Sequence, residues 1–162
     1  MTRKAQQRLA EYVHQGGKLF LSGSHLAQAL GAESSEDADR RFLADVASVS
    51  YETSNPASRT LAPPSSDSEL PPIELEKENA TPYLPDALPT DVLAADEKRG
   101  ARELLQYRWP SAGSAAIAGR SAVIFGFPFE SIEGEEARAQ VMRAVLRMLG
   151  VVEETATIQQ GG

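Results

Sequence analysis

Apolar Ala5, Leu9 and Val13 recur every four residues among Arg, Gln and Glu between Arg3 and Gln15, which puts one apolar stripe on a helix. Gly16 and Gly17 follow; glycine accepts the left-handed conformation that closes a helix. "KLFLSGS" then predicts a short buried strand running into a glycine turn, and "HLAQALG" a brief helix ending at Gly31. "ESSEDADRRFLADVASV" predicts a second helix of this group. Ser34 stands three residues before Asp37 as a capping-box-like start, with acidic residues in the first turn where the helix dipole favours them. Further on, "DEKRGARELLQYRW" resumes helical spacing, and "SAAIAGRSAVIFGFPF" predicts two short strands joined by a turn at Gly119-Arg120. A closing helix over 135–149 sets Val141, Val145 and Leu149 beside Met142 and Leu146, with Arg138, Arg143 and Arg147 elsewhere around it. Helices alternating with short apolar runs are the grammar of an α/β sheet, with "KLFLS" and "AVIFGF" expected in it together.

Eight of the ten prolines fall between Pro56 and Pro89, interleaved with Ser, Asp and Glu. Proline removes amide donors and fixes φ, so residues 54–89 are expected to form a surface excursion without a central strand or long helix. One short edge strand is expected at Ile73–Leu75, with Ile73, Leu75, Tyr83 and Leu84 as anchors. The organisation that follows is one domain over 1–152 and a flexible tail over 153–162.

Charge narrows the partners. Sixteen Lys and Arg against 23 Asp and Glu give a formal net charge of -7, which disfavours phosphate backbones and anionic lipid, so nucleic acid is not an expected partner. The absence of cysteine removes disulfides, thiolate nucleophiles and Cys-based metal sites. No run is long enough to cross a bilayer and the basic opening has no apolar h-region, so a soluble chain without membrane insertion is expected. The acidic stretch from Asp37 lacks the glycine an EF-hand loop needs at its sixth position and reads as a helix start. No metal and no cofactor are expected.

"LAEYVHQGGKLFLSGSHLAQAL", "LPDAL", "ARELLQY", "SAAIAGRSAVIFGFPFESI" and "VMRAVLRMLG" together resemble the later part of class I glutamine amidotransferase-like domains, in the version found in large exported bacterial proteins. The most specific piece is "FGFPFE" with Arg138 and its helix. The resemblance implies a partial flavodoxin-like, three-layer α/β fold with a long Pro-rich insertion, whose first strands are missing from this chain. It also implies a cysteine on a strand-to-helix turn and a His-Pro-Glu stretch ending a later strand, as nucleophile, base and orienter. Here Gly23 or Ser24 stands at the nucleophile position and Phe127 at that of the histidine. Phenylalanine accepts no proton, so Glu130 has nothing to orient. A missing half-sheet implies cover for the open edge, from upstream segments of the same polypeptide or from a second copy of the chain.

The candidate ligand or structural positions are Ser22, Gly23, Ser24, Glu130 and Arg138. Ser22, Gly23 and Ser24 could present amides to an anion between strand and helix, though without a nucleotide fingerprint. A Ser24–His25–Glu130 triad is disfavoured because adjacent residues at a turn diverge and the nucleophile-elbow pattern is absent. Ser24 is instead expected to cap the following helix, with His25 facing solvent, His14 near the C-terminal end of the first helix, and Arg138 either on a solvated helix face with local ion pairs, beside Arg143 and Arg147, or reaching Glu130. Two functions stay open: a noncatalytic accessory or scaffold domain, and part of a hydrolase or transferase whose catalytic residues lie upstream.

Overall fold

The computed structural model describes residues 1–66, 68–76, 89–110 and 112–151. Tyr83, Leu84, the "LPDAL" stretch and the 153–162 tail lie outside the described residues. The helices are α1 (Arg3–His14), α2 (Leu26–Gly31), α3 (Asp37–Phe42, continued by a wider π turn at Leu43–Ala47) and α4 (Glu135–Met148). The strands are β1 (Leu19–Leu21), β2 (Val49–Ser54), β3 (Thr60–Ala62), β4 (Ile73–Glu74), β5 (Asp91–Ala95), β6 (Arg102–Tyr107), β7 (Ser114–Ala118) and β8 (Ala122–Phe125).

These strands join in one mixed sheet of order β1-β8-β7-β6-β3-β4, with the β2–β5 ribbon attached to β7 through Leu93 and Ser114. β1 and β8 run parallel, Leu19 against Ala122 and Leu21 against Ile124, and every other pairing is antiparallel. The expected placement of "KLFLS" and "AVIFGF" in one sheet is thus present, and the two pair directly. The hairpin across Gly119-Arg120 is present too, closed by Gly119 N–H donating to Ala122 O at 2.8 Å.

Both faces of the sheet are covered. Leu61, Ile73, Val123 and Phe125 pack with Val141, Ala144 and Val145 of α4. Leu21, Leu93, Ile117 and Ile124 pack with Ala27 and Leu30 of α2, with Phe42, Leu43 and Val46, and with Leu9 and Val13 of α1. Burial on two faces explains why β7 and β8 read as unbroken apolar runs without alternation. α1 starts at Thr2, whose Oγ1 accepts Ala5 N–H, and closes at Gly16 with φ +90°. It is tied to α3 by Arg3–Glu36 at 2.5 Å and by the Gln6 amide donating to Asp39 Oδ1 at 2.6 Å. The Gln6 hydrogen bond outweighs desolvation and, with Arg3, holds the Asp39 carboxyl below its ordinary range.

Three elements depart from expectation. The helix expected over "DEKRGARELLQYRW" is a single 3-10 turn at Glu97–Arg99, stopped by Gly100 at φ +81°, followed by strand β6. A bulge between Glu103 and Leu105 turns the adjacent Leu104 and Leu105 both inward, so β6 shows helix-like apolar spacing. Inside the Pro-rich segment, β3 lies between β4 and β6 with Leu61 fully buried. It holds no proline and is ended by Pro63-Pro64, so its donors stay available to the ladder. The edge strand expected at Ile73–Leu75 is present as β4, with Leu75 bridging to Ile132. α3 begins at Asp37 with Glu36 as its cap residue, and Ser35 rather than Ser34 is engaged, donating its hydroxyl to carbonyls of α2.

Candidate functional site

Parallel pairing brings the C-terminal ends of β1 and β8 to one edge, so the "SGSH" turn and the "GFPFES" corner lie side by side. Ser22 joins them: its Oγ donates to Phe127 O at 3.0 Å and accepts from Phe129 N–H at 2.7 Å. Phe127 is fully buried and stacked on Phe125 at 4.9 Å, a core position. The position the resemblance assigns to a histidine is therefore packed within hydrocarbon.

β5 begins beside this corner with Asp91, which is fully buried. Its Oδ2 accepts Gln28 N–H at 3.0 Å; its Oδ1 accepts the Ser54 hydroxyl at 2.6 Å and faces His25 Nδ1 at 3.2 Å. Ser54 Oγ is in turn 3.0 Å from Tyr51 Oη. Gln28 is the third residue of α2, so a carboxylate from a distant strand fills the place an N-cap side chain normally takes, with its charge at the favourable end of the helix dipole. Ser24 does not cap the helix, contrary to expectation. The cap residue is His25, in the left-handed region at φ 49° with no side-chain cap bond, and Ser24 is exposed.

The main chain at Asp91 is held as tightly. Its N–H donates to Gly126 O at 2.5 Å, and its carbonyl accepts the buried Tyr107 hydroxyl at 3.0 Å. Burial raises the Tyr107 pKa above the ordinary tyrosine value, with the nearby Asp91 charge adding to it and a hydrogen bond with Thr90 opposing it. A Cβ at Gly126 would collide with Asp91 O, so this close approach requires glycine.

His25 is not solvent-facing as expected: its side chain is 34% exposed and its Nδ1 meets a buried carboxylate. That is the base-and-orienter half of a nucleophilic site. The Ser54 and Ser22 hydroxyls are committed elsewhere, Ser54 to Asp91 and Ser22 to the 127–129 corner. Gly23 is half-buried, and a Cβ added there would meet only Leu26 Cβ, at 3.8 Å. Glu130 is exposed in the 3-10 turn Phe129–Ser131 and makes no side-chain hydrogen bond or ion pair among the described residues. Arg138 does not reach it; Arg138 donates to Ile132 O at 2.7 Å and pairs with Glu76 at 3.3 Å. His14 is exposed in the last turn of α1. Among the described residues no group of three or more His, Asp or Glu is placed to hold a metal ion, and no helix is long and apolar enough to cross a membrane.

Of the five expected positions, Ser22 sits at the heart of the corner, Gly23 and Ser24 on its rim, and Glu130 and Arg138 apart from one another. Sequence reasoning missed Asp91, Ser54 and Tyr107. The one available signal was an acidic residue directly before the apolar run "VLAA", where a buried strand start leaves a carboxylate needing donors. Comparison with protein-family models, curated proteins and solved structures returned no significant match.

Proposed function

We propose that this chain is a noncatalytic accessory or scaffold domain of a larger exported bacterial protein, built on a partial flavodoxin-like, glutamine amidotransferase-like fold. The observation that carries the reading is the commitment of the polar groups at the strand ends: Ser22 Oγ is bonded on both sides, and the Asp91 carboxylate accepts from Gln28 and Ser54 and faces His25. Groups engaged in this way hold turns together and have little capacity left for a substrate. The side-by-side "SGSH" and "GFPFES" corners support the kinship, since the resemblance expects nucleophile and His-Glu positions on neighbouring strand ends. Among the described residues β1 pairs on one side only, with β8, and its other edge is the surface through which an upstream segment or a second copy of the chain would add a strand. The test is ammonia release from glutamine by the purified chain, together with its mass by light scattering. No turnover above buffer is expected, and measurable turnover overturns the noncatalytic reading.

The second reading, a hydrolase or transferase completed by residues outside this chain, is favoured by the His25–Asp91 contact alone. His25→Ala in the full polypeptide separates the two: loss of an activity with the domain still folded favours the second, unchanged activity the first.

A further inference from the structure

Across the described residues, one buried side-chain polar atom lacks any hydrogen-bond partner: Nη1 of Arg59. Arg59 directly precedes β3. Leu75 N–H donates to Arg59 O at 3.0 Å, and Arg108 N–H donates to Thr60 O at 3.0 Å. The registers Leu61↔Tyr107 and Thr60↔Glu74, each continued along the chain, set Arg59 level with Trp109 on one side and Leu75 on the other. Trp109 is 90% exposed. The carboxylates of the adjoining β4 stretch are engaged elsewhere, Glu74 accepting the Thr60 hydroxyl at 2.9 Å and Glu76 pairing with Arg138.

A guanidinium stays charged at any working pH and offers five N–H donors and no acceptor. Enclosing one of its nitrogens without an acceptor is costly, and Met or Leu would cover the same surface without that cost. We propose that Arg59 anchors a binding site for a small monocarboxylate whose apolar part lies along Trp109. Arg59 as a whole residue is half-buried although its Nη1 is enclosed, and a carboxylate that reaches the guanidinium supplies planar oxygens matched to its fork. A single anchoring cation in a chain of net charge -7 suits a monoanion better than a phosphate dianion. The exposed indole supplies the flat apolar surface that such ligands carry into a site. This inference is independent of the glutamine amidotransferase-like reading.

Trp109 is the only tryptophan, so its fluorescence reports this site alone. The probes are hexanoate, acetate, inorganic phosphate and chloride at matched ionic strength. The expected result is a saturable fluorescence change with hexanoate, at least tenfold tighter than with acetate, and none with phosphate or chloride. Arg59→Met is expected to weaken hexanoate at least tenfold while leaving the Tm of the ligand-free protein equal or higher; Arg143→Gln on α4 binds as wild type. If Arg59→Met fails to fold, Arg59→Lys carries the test, since it keeps the charge, loses the fork, and should bind at least fivefold more weakly. The proposal is overturned by no saturable response to hexanoate, by saturation with phosphate instead, by binding that survives loss of the guanidinium, or by a folded Arg59→Met protein with a lowered ligand-free Tm, which would mean that the fold itself, or a water within it, satisfies Arg59.

Discussion

Asp91 and Arg59 are both charged side chains drawn into the fold, and the fold treats them in opposite ways. At the corner where β1, β5 and β8 meet, Asp91 gathers a helix amide, a serine hydroxyl and an imidazole, while its main chain is clasped by Gly126 and Tyr107. At the β3–β6 corner, Arg59 encloses a donor that has no acceptor among the described residues. The difference separates structure from availability. A buried carboxylate with its acceptor capacity used is a fixed joint, whereas an enclosed and unmatched donor is a place where something external can lower the energy.

The most damaging way to break the comparison is to remove the joint. Asp91→Ala strips the cap from α2 and leaves Ser54 and His25 without their acceptor, and should cost about 3–5 kcal/mol in urea unfolding. A loss below about 1 kcal/mol would place Asp91 beside Arg59 as a dispensable charge and dissolve the contrast. Gly126→Ala forces a methyl onto Asp91 O and should cost about 1–3 kcal/mol from overpacking alone, with the same readout.

A smaller effect sharpens the comparison through pH. Tyr107→Phe removes the hydroxyl that holds Asp91 O and should cost about 1–1.5 kcal/mol near neutrality. Because the folded-state Tyr107 pKa is raised, the unfolded chain loses this proton first, and wild-type stability should fall as pH rises above about 10, the ordinary tyrosine value. That alkaline fall should be shallower in Tyr107→Phe, measured as Tm against pH. Smallest is Glu130→Gln, expected within about 0.5 kcal/mol because an exposed, unpaired carboxylate carries little. Combined with Arg138→Met, its effect should add without coupling; an interaction energy above about 0.5 kcal/mol would restore the contact expected from sequence and denied by the geometry.

Elements built from contacts a few residues apart were legible in the sequence. The four-residue stripe and glycine stop of α1, the β7–β8 hairpin at Gly119-Arg120, the short β1 and the apolar face of α4 each depend on local periodicity and turn chemistry, and each is present where the pattern puts it. β6 was not legible as a strand, because a bulge that buries neighbouring Leu104 and Leu105 imitates helical spacing. β3 was hidden by the prolines around it.

The strand-end corner depended on tertiary structure throughout. Asp91 meets Ser54, Gln28 and His25 across separations of 37, 63 and 66 residues, so no window of sequence holds the constellation. Sequence alone determined that position 127 can neither accept nor donate a proton, since its residue is phenylalanine. Only the packed chain decided that Ser24 would leave its helix uncapped, that Asp91 would cap it from another strand, and that Arg138 would turn to Glu76. The physical reason is that hydrogen-bond partners are chosen by which groups lose water together, and that is fixed by how the sheet and helices close on one another.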